Sequence, residues 1–368
     1  MRLLFCIKAM NIPGGGAERV LAEVTGGLAA RGHETAVLSF DPPGGCSFYP
    51  LDPRVKRIEL GIGSITDSAT VLSTLHRIAA LRVTVRAYAP EVAIGFMHSM
   101  FIPLGLALVR TSIPMIASEH IVPEHYRYRP IEALLLRFTP LVAESIICVS
   151  EQVRRSYPQS LARKMSVIPN PVNMGVCGRA DVHGHRKDRK VLLAVGRLDP
   201  QKDHVTLVKA FSEIADQLPD WDLRIVGDGR LRQELESTIS KLGLSRRVCL
   251  SGTVHDITKE YLSAQLFVQP SRYESFGLTT AEALAHGLPA VGFEDCPGVN
   301  QLIRPGVNGY LANGKGNRPS SLARTLMILM QDNELRAHLA KQSNDILYEH
   351  RPADVFTRWE ETILSVIG

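Results

Sequence analysis

What the chain lacks narrows its class before any motif is considered. Its six cysteines, at positions 6, 46, 148, 177, 249 and 296, contain no C-x-x-C pair, and most lie in apolar strand-like runs such as Ile-Ile-Cys-Val at 146–149. That pattern reads as reduced core thiols in a cytoplasmic protein. No apolar run reaches membrane-spanning length, and Met1 leads straight into an apolar strand at 2–9 with no h-region or cleavage site. A protein that stays in the cytoplasm is expected, soluble or peripheral at the inner face of the membrane. Basic residues exceed acidic ones by only five. So small an excess gives no ground for a nucleic-acid partner, yet it suits an anionic substrate or a membrane surface.

At 368 residues the chain exceeds the length over which one hydrophobic core keeps growing, so two domains are expected. In the first half, strands at 2–9, 35–40, 55–60, 92–96, 115–118, 145–149 and 165–168 alternate with helices at 17–31, 68–88, 101–109 and 131–140. Such alternation predicts a parallel, doubly wound sheet covered on both faces. A polar stretch at 178–190, GRADVHGHRKDRK, has neither period nor apolar content and reads as an interdomain linker. The alternation then restarts, with strands at 191–195, 223–226, 248–250, 266–269 and 289–293. The fold class is α/β, with one Rossmann-like domain at 1–175 and a second at 188–353. Ligands of open α/β sheets bind beyond the carboxyl ends of the strands, so a cleft between the two domains is the expected site. The last helix, at 354–367, carries Phe356, Trp359, Ile363 and Val366 on one face.

The stretch at 270–293, PSRYESFGLTTAEALAHGLPAVGF, puts a ligand loop and buried scaffold in immediate succession. An apolar strand at 266–269 leads into a polar loop at 271–276, a helix opens at Gly277, and 288–293 reads as the next buried strand. The helix start at Gly277, Leu278, Thr279 and Thr280 presents free backbone N–H groups, which offer an anion a partial positive charge. Glu274 before that start and Glu282 within the helix, with seven residues between them, flank the same anion site. Carboxylates beside a phosphate repel it unless they hold hydroxyls instead, and a ribose or hexose presents adjacent hydroxyl pairs. The combination suggests a nucleotide sugar; the alternative is a helix-start Glu bonded to its own backbone and an inner Glu on a solvated face.

The nine residues ESFGLTTAE at 274–282 resemble the E-x-7-E motif of retaining glycosyltransferases of the GT-B fold, of the family 4 or group 1 type, which includes bacterial mannosyl-, glucosyl- and GalNAc-transferases. The resemblance implies that Glu282 holds the nucleotide ribose, that Glu274 holds a hydroxyl of the donor sugar, and that the backbone at Phe276, Gly277 and Leu278 meets sugar and phosphate. It also implies two Rossmann-like domains facing a central cleft, with the acceptor on 1–175, the donor on 188–353, and the C-terminal helix at 354–368 crossing back to the first domain.

The strand at 191–195 ends in GRLDPQKDH. Gly196 makes the turn, Arg197 offers a planar fork to phosphate oxygens, and Lys202 adds a mobile point charge before a helix starting near Asp203, so the pair can clamp a diphosphate. The segment is similar to the family's G-R-L-x-x-x-K motif at each fixed position. Gly227-Asp228-Gly229 resembles its G-x-G turn, and Gly252-Thr253-Val254 resembles its base-contacting loop, which makes Val254 a donor-binding candidate. Asp220-Trp221-Asp222 looks like a metal-holding D-x-D, but it follows Pro219 at the entrance to a strand, at the end opposite the active cleft, and reads as structural. With Arg197 and Lys202 supplying positive charge, neither a metal nor another cofactor is expected.

The first loop, NIPGGGAER at 11–19, invites a rival reading. As a dinucleotide fingerprint it has Gly14 and Gly16 but Arg19 where the third glycine belongs, although Asp41 ends the second strand where a ribose acid would sit. By resemblance to the family, Gly15 and Gly16 instead let donor and acceptor phosphates approach, with Arg19 on the acceptor side. The strand ending at Ser118 continues into Glu119 and His120, similar to the family's strand-end histidine, which contacts the donor sugar; Glu119 is placed on the acceptor side. The helix at 68–88 carries Arg77, Arg82 and Arg86, and HYRYRPIEALLLRF at 125–138 mixes arginines with Leu and Tyr. Basic and apolar surface together suggest docking to anionic membrane or to a lipid-pyrophosphate acceptor, with Arg77 and Arg82 as acceptor contacts; a solvated helix face with ordinary core leucines explains them equally well.

No Asp or Glu announces itself as a covalent nucleophile. Arg197, Lys202 and the Gly277 helix start are expected to stabilise the departing diphosphate, with Glu274 and His120 completing the catalytic set. The reading is a retaining glycosyltransferase moving a hexose-type sugar from a nucleotide diphosphate sugar, UDP before GDP, to a glycan or lipid-linked acceptor in bacterial surface-polysaccharide synthesis. The alternatives are an NAD-dependent oxidoreductase and a non-catalytic nucleotide-sugar-binding protein of the same fold.

Overall fold

The computed structural model describes residues 1–62, 70–127, 129–173, 178–184, 189–254, 256–345, 348 and 350–368. The expected helix start at Ser68, the middle of the linker at 185–188, Tyr128 and Cys177 lie outside the described residues. The chain forms two compact units: Met1–Pro171 together with Pro352–Gly368, and Val172–Arg351.

In the first unit seven strands, β1 (Arg2–Cys6), β2 (Glu34–Ser39), β3 (Lys56–Glu59), β4 (Val92–Phe96), β5 (Met115–Glu119), β6 (Ser145–Cys148) and β7 (Met165–Val167), lie in the order β3-β2-β1-β4-β5-β6-β7. All neighbours run parallel. β4 is apolar throughout and fully buried, and β1 is so after its exposed first residue Arg2, as strands covered on both faces must be. The helices Gly16–Ala30, Val71–Tyr88, His98–Leu108 and Pro130–Arg137 connect them. His98–Leu108 begins three residues before the expected start, after Met97 turns the chain at φ +64°. Val71–Tyr88 starts with a reciprocal cap between Thr70 and Ser73.

The second unit holds β8 (Lys190–Val195), β9 (Trp221–Val226), β10 (Val248–Gly252), β11 (Leu266–Val268), β12 (Ala290–Phe293) and β13 (Gly309–Ala312), again all parallel, in the order β10-β9-β8-β11-β12-β13. β13 was not expected, because a four-residue strand set among glycines and asparagines carries no alternation to read. Its first residue must be glycine: a Cβ at Gly309 would stand 1.9 Å from the Ala290 carbonyl oxygen.

Each sheet reverses its winding once, between β1 and β4 in the first unit and between β8 and β11 in the second. At such a reversal the loops leaving two adjacent strands diverge to opposite faces and open a crevice at the carboxyl edge. The loops after β1, β8 and β11, which carry Gly14–Gly16, Arg197–Lys202 and Glu274, leave from these positions. The terminal helix, Pro352–Ile367, packs into the first unit by Val355, Trp359 and Ile363. Phe356 fills the space a side chain at Gly27 would need. Arg31 and His33 both engage Glu360, His33 at 2.7 Å, and Arg31 also donates to the Ala353 carbonyl at 2.6 Å.

Among the described residues all five cysteines are unpaired; Cys6, Cys148 and Cys296 are buried, but Cys46 and Cys249 are exposed, so not every thiol belongs to the core. No helix among them is long and apolar enough to cross a membrane.

Candidate active site

In the second unit the adjacency of β8 and β11 brings two distant loops together. Lys202, seven residues beyond β8, places Nζ 2.6 Å from Glu274 Oε1, and both side chains are largely buried. The same oxygen accepts from Ser271 Oγ at 2.7 Å and from Gln269 Nε2 at 3.3 Å. The carboxylate expected at a sugar and the ammonium expected at a phosphate are therefore one ion pair. Arg197 is half exposed and pairs with Asp199 of its own loop at 3.1 Å. The helix after Lys202 begins at His204, one residue later than expected, because Asp203 takes a left-handed conformation at φ +51°.

The helix Leu278–Ala285 is capped by Gly277 at φ +84°, a conformation open to glycine at little cost, and its N–H groups point back toward the Glu274 loop. Glu282 is buried on that helix and its Oε2 accepts from the Tyr261 hydroxyl at 2.9 Å, so it does not lie on a solvated face. Phe276 is buried edge-on against His350, with ring centroids 5.1 Å apart. The turns after β9 and β10 meet: Gly227 N–H donates to the Gly252 carbonyl at 2.8 Å, and Val254 follows, half-buried. Gly227 admits no side chain, since a Cβ there would lie 2.1 Å from the Gly196 carbonyl oxygen. Asp220 and Asp222 sit at the opposite edge of the sheet, where Lys190 engages Asp220 and Arg189 and Arg247 engage Asp222.

In the first unit the loop after β1 leads to Gly15, which caps the helix Gly16–Ala30. The buried Glu18 carboxylate folds back over this loop, to where a side chain on Gly15 would begin, so an acidic group already stands beside the expected phosphate seat. Arg19 pairs with Glu23 one turn on, at 3.1 Å, and lies over the Tyr49 ring. Asp41, the ribose acid of the dinucleotide reading, is buried and accepts the Met10 N–H at 2.7 Å, which ties down the loop itself. Arg77 stacks over Phe40, and Arg82 donates to the Ala107 and Val109 carbonyls at the end of the helix His98–Leu108. Both expected acceptor contacts thus have structural partners within the unit.

Glu119 ends β5 and His120 follows it, and the two make separate contacts. His120 is half-buried with Nε2 2.9 Å from Ser118 Oγ, and burial pushes its imidazole down to about 4. Glu119 is fully buried, which removes it from any direct acceptor contact. Burial pushes its carboxyl up to about 8, against the opposing hydrogen bonds from Tyr126 and the Ile121 N–H. Tyr126 has one proton for two neighbours, Glu119 Oε2 at 2.9 Å and His98 Nδ1 at 2.7 Å. When Glu119 is ionised Tyr126 donates to it. When Glu119 is protonated the chain reverses: Glu119 donates to the phenol oxygen, Tyr126 donates to His98 Nδ1, and His98 Nε2–H faces Glu132 at 3.1 Å. The second arrangement satisfies all four groups with a neutral imidazole, in keeping with burial holding His98 down near 4.

Family models match both units: "Glycosyl transferases group 1" over residues 179–345 and "Glycosyltransferase Family 4" over residues 14–175. The chain belongs to the family 4, group 1 glycosyltransferases. An uncharacterized glycosyltransferase of Haemophilus influenzae is 25% identical over 95% of this chain and 97% of its own. An alpha-1,4-N-acetyl-D-galactosaminyltransferase of Campylobacter jejuni, named for a GalNAc-GalNAc-diNAcBac-PP-undecaprenol substrate, is 26% identical over 100% of this chain and 99% of its own. Among solved structures, sucrose-phosphate synthase of Thermosynechococcus elongatus aligns with a TM-score of 0.85 at 18% identity over 99% of both chains. Anabaena HepE in complex with UDP-glucose aligns with a TM-score of 0.81 at 20% identity, over 99% of this chain and 100% of that one. The glycosyltransferase has the GT-B α/β fold, with two Rossmann-like parallel-sheet domains.

Several residues that shape the surroundings of Glu274 and Lys202 in the glycosyltransferase's second unit were not singled out in the sequence. Ser271 and Gln269 orient Glu274 from within its own loop. Arg318 stacks over Phe293 at 3.7 Å and joins Asp295 at 2.8 Å, while Arg272 joins Asp203 at 3.0 Å. Gly298 runs so close that a Cβ there would lie 2.8 Å from the Glu274 carbonyl oxygen. The Cys-Pro-Gly sequence at 296–298 was the available signal for this last approach.

Proposed function

We propose that this glycosyltransferase moves a hexose-type sugar, with retention at the anomeric carbon, from a UDP-sugar to a glycan or lipid-linked acceptor in bacterial surface-polysaccharide assembly. The observation that carries the reading is the buried Lys202–Glu274 pair beside the Gly277-capped helix that holds Glu282. A diphosphate entering there finds Lys202, Arg197 and the N–H groups at Leu278, which stabilise charge as the sugar–phosphate bond breaks. Glu274, freed in part from Lys202 by the incoming phosphate, accepts from a sugar hydroxyl, and Glu282 accepts from ribose. Val254 lies by the base. Because cationic side chains supply the charge, the reading calls for no metal ion. In the first unit Gly15, Gly16, Arg19 and His120 line the strand ends, and the neutral His120 imidazole is suited to hydrogen-bond a substrate hydroxyl or phosphate oxygen. Anabaena HepE, solved with UDP-glucose, and the Campylobacter enzyme, named for an undecaprenol-linked substrate, support the donor and acceptor classes.

Contact with anionic lipid at the cytoplasmic membrane is part of the same proposal. The helix Pro130–Arg137 exposes Ile131, Leu134 and Leu135, Phe138 and Leu141 follow, and Arg127, Arg129 and Arg137 are exposed among them. One acid of this helix, Glu132, is engaged with Arg129 and His98. Apolar side chains rimmed by arginines suit a bilayer carrying anionic headgroups.

Calorimetry with UDP, GDP, ADP and NAD tests the donor assignment. UDP should bind most tightly, and Glu282→Ala should weaken it. Binding of NAD alone, or of no nucleotide, would remove the assignment. Proton NMR of the product's anomeric signal reads retention, and flotation with phosphatidylglycerol vesicles reads the membrane contact.

A further inference from the structure

The aromatic residues of the first unit form a continuous stack that ends on His120. Phe96, the last residue of β4, stands opposite Ser118 of β5 in register. His120 follows the strand, and its hydrogen bond to Ser118 keeps its ring on the Ser118 side, hence on the face of Phe96. The Phe96 and His120 rings lie 17° from parallel with centroids 4.9 Å apart. Trp359 of the terminal helix packs against Phe96 at 10° and 5.9 Å. Phe5 of β1 closes the side of the stack, tilted against both Phe96 and Trp359 at 6.1 Å. All three supporting rings are buried.

A histidine at a strand end has two torsions to fix, and the second is broad. The hydrogen bond between Nε2 and Ser118 fixes one point of the ring but leaves rotation about it. A flat aromatic wall fixes the plane. Together they set where Nδ1 points, and Nδ1 has no hydrogen-bond partner among the described residues. Phe96 can act as such a wall only if it does not tilt, and it is packed in the core between the near-parallel indole of Trp359 and the tilted ring of Phe5.

We propose that Phe96 and Trp359 are positioning residues for His120, the terminal helix holding the imidazole plane through the stack so that Nδ1 is presented to substrate. The substrate clause rests on the reading of His120 given above; the stack itself does not. The test is NMR of selectively labelled histidine in the full-length protein, with His120→Gln identifying the signal. In the wild type, the His120 ring protons should be displaced upfield and show Overhauser contacts to Phe96. Phe96→Leu and Trp359→Leu, checked for fold by circular dichroism, should lose the upfield displacement and move the imidazole titration up toward its ordinary value, and Trp359→Phe should restore both. With the donor found by calorimetry, the leucine variants should lower kcat and leave the donor KM unchanged. Absence of the Overhauser contacts in the wild type overturns the proposal without any variant, as does an unchanged His120 spectrum in folded leucine variants. A stack-dependent His120 signal in a protein that binds no nucleotide supports the positioning while removing the donor assignment, so the two failures are distinct.

Discussion

Lys202 and Glu274 meet at 2.6 Å only because the strands that precede them, β8 and β11, are neighbours at the reversal of the second sheet. The pair ties the loop after β8 to the loop after β11 in this unit. Lys202→Met leaves a buried carboxylate with only Ser271 and Gln269 as donors, and should cost roughly 1–3 kcal/mol of stability. Glu274→Gln added to it should cost less than the two single changes summed, since the residues share one interaction. Urea unfolding of the four proteins measures this, and strict additivity would show the pair to be uncoupled. Glu274→Ala should abolish transfer while nucleotide binding persists.

The pH dependence of stability should carry a signature of Glu119. Its folded carboxyl lies at about 8 against an ordinary 4.5, so the folded state holds a proton that the unfolded chain has released in between. Stability from this group is full below about 4.5 and is lost as pH rises through 8. Glu119→Gln, which keeps a neutral group of the same shape, should flatten that fall and raise the melting temperature at pH 9 relative to wild type. A parallel pair of melting profiles from pH 5 to 9 would place the Glu119 carboxyl outside this range.

Gly298→Ala should act on activity more than on folding. The new methyl group meets the Glu274 backbone at under 3 Å, and backbone cannot swing aside as a side-chain tip can. Turnover is expected to fall by an order of magnitude or more, in line with the sensitivity of catalysis to displacements of about 1 Å. Wild-type turnover in the alanine variant would mean that the Glu274 loop has room to spare.

Arg336 is expected to be a stability determinant of the second unit and nothing more. It is fully buried, lies over the Trp221 ring at 4.9 Å, and donates to the Leu329, Met330 and Val182 carbonyls. Burial lowers its guanidinium to about 10. Arg336→Met leaves the last turn of the helix Arg318–Gln331 with uncapped carbonyls and should cost roughly 3 kcal/mol or more. Denaturant unfolding reads the loss, and nucleotide affinity per folded molecule should be unchanged.

The sequence announced those parts of the fold that repeat a local rule. Buried parallel strands such as β1 and β4 are near-continuous apolar runs, so their existence and type were legible, while helix starts were displaced by one to three residues at caps such as Asp203 and Met97. β13 was not legible, because glycine is required there by the neighbouring Ala290 backbone rather than by its own segment. At the candidate site, residue types were legible and partners were not. Glu274 and Lys202 could be named separately, but their pairing depends on which strands are adjacent. Glu119, Arg77 and Arg82 looked available for an acceptor because charge in a sequence says nothing of burial. Glu119 lies inside a hydrogen-bonded cluster, and Arg82 caps a helix.

The terminal helix sets an order on the birth of the molecule. The second unit is one uninterrupted span, Val172–Arg351, and can complete its core as soon as that span has left the ribosome. The first unit cannot, although it begins earlier: the rings of Phe5 and Phe96 await Trp359, and Arg31 and His33 await Glu360. Until the helix Pro352–Ile367 emerges, the first unit holds an open apolar face, whereas the second unit can already close its core.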